Sequence, residues 1–169
     1  MVTTRVSADE LVAAVSSIPD PEVPVVTIAD LGILRSVDVD EAAGLASVVI
    51  TPTYSGCPAM EAITSHIEHV CRRSGWVPSV SSRLSPPWTT DWMSQEGRQK
   101  LRLFGIAPPA TRHTDAAGGV TVALTRRVVA CPQCGSTDTT EIAYFGSTAC
   151  KAMRRCESCR EPFDEFKAL

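Results

Sequence analysis

The chain has 169 residues, 44% apolar and 21% charged, a balance that fits a folded globular protein and excludes a disordered one. Sixteen basic against nineteen acidic residues leave a formal charge of −3, which argues against a general nucleic-acid binder. No apolar run approaches the ~18 residues a membrane helix needs. Residues 1–7 carry neither an apolar core nor a cleavage pattern, so a cytoplasmic location is expected. Seven cysteines then stand in a reducing compartment, where they read as metal ligands or reactive thiols before disulfides.

In chain order, Ser7-Ala8-Asp9-Glu10 is a capping box, and Leu11, Val15 and Ile18 follow at helical spacing, predicting a helix over 8–18. Pro19 stops it, and Asp20-Pro21-Glu22 turns the chain. Residues 33–39 and 45–51 are rich in branched side chains and flank Asp40-Glu41-Ala42-Ala43-Gly44, a hairpin signal. Pro58 opens a second helix with an apolar stripe of Met60, Ile63, Ile67 and Val70, and Gly75 closes it. Cys71 falls near that stripe and reads as core. His66 and His69 fall toward the polar side and read as solvated. Residues 76–84 are extended, with Pro78 pointing to an edge strand. The order helix–strand–strand–helix–strand predicts a small α+β layer with helices on one face of a short sheet. A further helix is expected over 92–104, with Trp88 and Trp92 as candidate anchors for a partner.

The chain divides by composition. Residues 1–107 form the first domain, 108–125 a Pro- and Gly-bearing linker, and 126–169 a module holding Cys131, Cys134, Cys156 and Cys159. Two Cys-x-x-Cys turns with 21 residues between them can present four sulfurs to one ion. Gly135 suits the first turn by permitting a positive φ. Cys156-Glu157-Ser158-Cys159-Arg160 lacks that glycine. Short strands are expected over 126–130, 141–145 and 163–166, making a zinc-ribbon-like β module that depends on its metal for stability. Zinc ranks ahead of an iron–sulfur cluster, although four thiolates suit either. Cys150 stands apart as a spare ligand, a relay thiol or a small buried residue.

Thr51-Pro52-Thr53-Tyr54-Ser55-Gly56-Cys57-Pro58 places a cysteine at a strand-to-helix turn, where a helix N-terminus lowers a thiol's pKa. Thr51, Thr53 and Ser55 could bond to its sulfur or to an anion, and Asp20 and Glu22 could approach as hard ligands or proton acceptors. The plainer alternative is that Cys57 only caps a helix and Asp20-Pro21-Glu22 only makes a turn.

Asp20-Pro21-Glu22-Val23-Pro24-Val25, Asp30-Leu31-Gly32-Ile33, Thr51-Pro52-Thr53 and Gly56-Cys57-Pro58 together resemble the family of small iron–sulfur assembly proteins that includes bacterial SufT, over about residues 7–85. Pro87-Trp88-Thr89-Thr90-Asp91-Trp92-Met93, Gly105-Ile106-Ala107-Pro108-Pro109 and Phe145-Gly146-Ser147-Thr148-Ala149-Cys150-Lys151, with the four-cysteine tail, extend the match. Over its whole length the chain resembles the phenylacetate-degradation accessory family that accompanies the multicomponent phenylacetyl-CoA epoxidase. The resemblance implies an iron–sulfur-assembly-like fold and a role beside a di-iron oxygenase. It also implies a functional thiol at Cys57, perhaps joined by Cys150, with Asp20 and Glu22 as the acidic turn. The implied partners are oxygenase or reductase subunits of that complex, with a homodimer as an option, and neither nucleic acid nor membrane.

No carboxylate and Glu-x-x-His set for two irons is present, and no flavin or nicotinamide fingerprint, so an accessory protein is expected and not the oxygenase catalyst. In that reading Cys57 transiently holds iron or an iron–sulfur cluster. The alternative is a non-catalytic structural subunit with a purely structural zinc ribbon. A nucleic-acid-binding ribbon using Arg126, Arg127, Arg154 and Arg155, and a thiol enzyme at Cys57 with no base placed for it, stand further back.

Overall fold

A computed structural model of the chain describes residues 5–54, 56–109 and 128–167. It divides into two compact units, Met1–Lys100 with Leu169, and Leu101–Ala168. In the first, α1 (Ala8–Ser16) begins at the expected capping box: the Glu10 amide donates to Ser7 Oγ at 3.3 Å and the Ser7 amide to Glu10 Oε2 at 2.9 Å. Leu11 and Val15 are wholly buried from it.

β1 (Leu34–Asp40) and β2 (Leu45–Ile50) form the antiparallel hairpin, and Gly44 takes a positive φ of 67° to close it. α2 (Ala59–Arg73) crosses over to β3 (Val77–Ser82), which pairs parallel to β2. The sheet order β1-β2-β3 leaves β3 on an edge, where Pro78 costs no central ladder bond. Along β2 residues alternate half-buried and buried, so Ala46, Val48 and Ile50 face the core with the helices.

The buried stripe of α2 differs from the expected one. Ala59, Ile63, Ile67 and Cys71 are buried at strict i, i+4 spacing, while Met60 and Val70 are only half-buried. A stripe repeating every four residues drifts around the helix relative to the 3,4,3 pattern and ends on Cys71, which is core. His66 and His69 are exposed.

The helix expected over 92–104 starts later. A 3₁₀ turn, Thr90–Trp92, is followed by an extended Met93 (ψ 134°), and α3 spans Gln95–Phe104. Ser94 explains the break: its Oγ accepts the Gly97 amide at 2.8 Å, and its own amide is held by the Asp30 carbonyl at 2.8 Å. Asp30 organises this corner. Its carboxylate accepts from Ser94 Oγ (2.9 Å), the Thr27 amide (3.0 Å) and Lys100 Nζ (2.9 Å). Burial pushes its pKa up, but Lys100 and the two other donors outweigh that and hold it below the ordinary value.

Trp88 is 5% exposed, and its Nε1 donates to the Leu31 carbonyl at 2.9 Å, so it is core and not a docking anchor. Trp92 is half-buried beneath the Arg35 guanidinium, 3.7 Å from its ring. Gly32 permits this packing. It has φ +70°, and a Cβ there would lie 2.6 Å from the Trp92 carbonyl oxygen. Gly32→Ala is therefore expected to destabilise the first unit by about 2 kcal/mol or more in denaturant unfolding.

In the second unit, β5 (Thr139–Ala143), β6 (Lys151–Cys156) and β7 (Pro162–Phe166) form an antiparallel meander. A two-residue strand, β4 (Ile106–Ala107), adds parallel to β7, giving the order β4-β7-β6-β5. β6 and β4 were not expected from the sequence. The strand expected over 126–130 does not form at 128–130, and Arg126 and Arg127 lie outside the described residues. Most of the 108–125 segment also lies outside them. Among the described residues no helix is long and apolar enough to cross a membrane.

Candidate metal centre and the Cys57 corner

Cys131, Cys134, Cys156 and Cys159 converge: their sulfurs all lie within 4.8 Å of one another. The two knuckles that carry them repeat one hydrogen-bond pattern. The Cys131 amide donates to the Ser136 carbonyl and the Gly135 amide to the Cys131 carbonyl, both at 2.9 Å. The Cys156 amide donates to the Glu161 carbonyl and the Arg160 amide to the Cys156 carbonyl, both at 3.0 Å.

The glycine that the second knuckle lacks is replaced by conformation. Arg160 adopts φ +67°, beside +75° at Gly135, the corresponding position. A left-handed backbone at a residue with a Cβ costs about 1–2 kcal/mol. The Arg160 guanidinium is tied to Glu157 at 3.1 Å across the turn. Arg160→Gly is accordingly expected to stabilise the ribbon by about 1 kcal/mol, less the added chain entropy, read as a raised unfolding midpoint of the second unit.

The donor set fits a thiophilic ion. Cys131 and Cys156 are buried with Ala107, Val129 and Phe163, Cys159 is half-buried, and Cys134 is exposed. The Cys159 amide donates to Cys156 Sγ at 3.5 Å, and this bond leads the causes that bring the Cys156 thiol down to about 6. The Glu161 amide favours the Cys159 thiolate too, but burial and the three neighbouring sulfurs outweigh it and push that thiol up to about 12. A cation among the sulfurs would remove that conflict by neutralising the like charges. The four cysteines could therefore hold one metal ion.

Beside this centre Arg154 is not a surface cation. It is buried and paired with buried Glu165 at 3.0 Å, with further bonds to Thr139. Arg155 is engaged by Glu157 at 3.0 Å. These pairings remove the basis for a phosphate-tracking surface there. Cys150 is 7% exposed, with Thr148 Oγ1 3.0 Å from its sulfur, and is not part of the four-sulfur group.

In the first unit the turn between β2 and α2 carries Cys57, half-buried just before Pro58. Its thiol pKa is raised, against the expectation for a helix start. Burial is the largest cause, and the negative charges of Glu22 and Asp20 add to it. Bonds from the Ala59 amide and the Thr53 side chain oppose it but do not prevail. Asp20, Glu22, Thr53 and Cys57 are thus brought together electrostatically.

Asp20 is 6% exposed, and its Oδ1 accepts the amides of Glu22 (2.9 Å) and Val23 (2.8 Å), which fixes the turn and aims the acids. Thr51 is buried with its amide bonded to the Ile33 carbonyl at 2.8 Å. Gly56 is exposed, and a Cβ there would meet nothing nearer than Tyr54 at 3.8 Å, so the space beside Cys57 is open. Ser55 lies outside the described residues. Among those described, only the four ribbon cysteines gather three or more metal-binding side chains closely enough for one ion.

Residues 8–82 match the family model of the iron–sulfur cluster assembly protein, and residues 115–167 that of the PaaD zinc beta ribbon domain. A domain of unknown function, DUF59, from Bacillus anthracis is similar at 29% identity and a TM-score of 0.50, covering 55% of this chain and 89% of that one. A conserved hypothetical protein from Thermotoga maritima is 26% identical with a TM-score of 0.45, covering 57% of this chain and 95% of that one. The fold and the cysteine cluster define the class: an iron–sulfur-assembly-type α+β domain followed by a four-cysteine ribbon. The chain is also 48% identical over 162 residues to a protein of Escherichia coli (strain K12) named as a 1,2-phenylacetyl-CoA epoxidase subunit, covering 95% of this chain and 92% of that protein. It belongs to the PaaD family of phenylacetyl-CoA epoxidase components.

Proposed function

We propose that the chain is an accessory component of a 1,2-phenylacetyl-CoA epoxidase that assembles or delivers an iron or iron–sulfur centre to a partner subunit. The grouping of Cys57 with Asp20, Glu22 and Thr53 carries this reading, together with the near full-length likeness to the Escherichia coli epoxidase component. Cys57 is the functional thiol. Its raised pKa keeps it protonated at neutral pH, so an arriving metal must displace the proton, and departure restores it. That makes reversible holding easier than at a standing thiolate. Asp20 and Glu22 supply nearby negative charge to attract a cation, and Thr53 orients the sulfur, with Thr51 supporting the strand end. Cys150 is a second candidate thiol.

The ribbon holds zinc as a structural ion on Cys131, Cys134, Cys156 and Cys159, and it serves to dock an oxygenase or reductase subunit. In this division of labour residues 1–107 handle metal, 108–125 link, and 126–169 dock. The test is epoxidase activity in cells producing Cys57→Ser in place of the native chain. Loss of activity with the variant still folded supports the reading, and full activity refutes it.

A second reading is a structural subunit with no metal transfer. It is favoured by one observation: among the described residues Cys57 is not grouped with enough ligands to hold an ion within this chain. Anaerobic purification separates the two. Iron or cluster absorption that disappears in Cys57→Ser supports transfer, and zinc alone in both proteins supports structure.

A further inference from the structure

The four ribbon sulfurs have a second chemistry besides metal binding. Cys134 Sγ lies 3.5 Å from Cys156 Sγ, and Cys131 Sγ lies 3.8 Å from Cys159 Sγ, and both close pairs join one knuckle to the other. The paired turn bonds at Cys131 and Cys156 hold each cysteine couple facing across the centre. Access is unequal. Cys134 is exposed, while Cys131 and Cys156 are 1% and 0% exposed and Cys159 is half-buried. An oxidant in solution therefore meets Cys134 first, with Cys156 the sulfur behind it.

We infer that the ribbon is a peroxide-sensitive switch in which Cys134 and Cys156 form a disulfide across the two knuckles as the metal leaves. This rests on the reading of the four cysteines as a metal site. Peroxide transfers one oxygen to the Cys134 thiolate, giving a sulfenic acid and hydroxide. The Cys156 thiolate then attacks that sulfur, the S–S bond forms, and a second hydroxide leaves. Two thiolates lose two electrons, one peroxide gains them, and the divalent ion departs unreduced with two of its four ligands gone. The new bond ties the turn before β5 to the end of β6, two places that the metal had joined. The ribbon thus keeps its closure in the oxidised form, and a thiol reductant restores the ligand set.

The test uses the full-length chain, its metal content measured first, treated with hydrogen peroxide beside a chromogenic zinc chelator. Peptide mass mapping without reduction follows each time point. The expected first product is a peptide pair linked through Cys134 and Cys156, appearing in step with release of the ion and reversed by dithiothreitol. A first disulfide within a knuckle (Cys131 to Cys134, or Cys156 to Cys159), a link to Cys150, or release of the ion with the cysteines still reduced overturns the inference. Because Cys134→Ser weakens the centre itself, the mapping is done on the unaltered chain. A chain that carries no metal at the outset contradicts the metal reading separately, and its mapping still reads the sulfur pairing.

Discussion

Stripping the metal from the four-cysteine centre is expected to unfold the ribbon and leave the first unit folded. The ribbon's core is small: Cys131 and Cys156 supply part of it, with Ala107, Val129 and Phe163, so two metal ligands double as packing. A structural zinc site contributes about 10–16 kcal/mol of apparent binding free energy, more than the whole stability of most domains this size. The first unit has its own core of Leu11, Val15, Val48, Ile63 and Ile67, and it draws nothing from those sulfurs. Hydrogen exchange reads both at once. Protection along Lys151–Cys156 and Pro162–Phe166 is lost on chelation, while protection along Leu45–Ile50 persists. Cys156→Ser gives the same result without chelator. A ribbon that keeps its protection in the metal-free, reduced state contradicts the prediction.

Cys57→Ser is expected to abolish accessory function with little change in stability. The residue is half-buried and makes no side-chain cap of α2, whose N-cap position is Pro58 with no such bond. Replacing sulfur by oxygen there changes stability by under about 1 kcal/mol, as for other sites away from core packing. The chemistry changes far more, since a serine hydroxyl does not ionise to bind iron as a thiolate does. Thermal unfolding of the variant within a few degrees of the native chain, together with epoxidase activity at background in cells, is the expected pair of results. Asp20 is a poorer probe, because its carboxylate also holds the turn through the Glu22 and Val23 amides.

Much of the first unit was legible because its signals are local. The capping box at Ser7, the hairpin around Gly44, Pro58 before α2 and Pro78 on the edge strand each act within a few residues. The break ahead of α3 was not legible, because Ser94 is set by Asp30, 64 positions earlier. β6 escaped notice for a related reason. Lys151 and Arg154 are buried there by ion pairs with Asp164 and Glu165, so their charge disguises a strand whose partners lie on β7.

The metal centre was legible from spacing alone, since Cys-x-x-Cys turns are self-contained. The second knuckle, however, achieves with Arg160 what the sequence suggested only a glycine would do. At Cys57 the neighbours could be named, but the sign of the pKa shift could not. A helix start favours a thiolate, while burial and two carboxylates brought in by the Asp20–Glu22 turn decide the outcome.

Metal transfer through Cys57 to a partner is the central claim, and the metal content of the epoxidase's oxygenase component tests it most directly. That component is purified anaerobically from cells producing either the native chain or Cys57→Ser, and its iron is counted per polypeptide. The account predicts iron-depleted, inactive oxygenase with the variant and loaded oxygenase with the native chain. Equal iron in both preparations would contradict it.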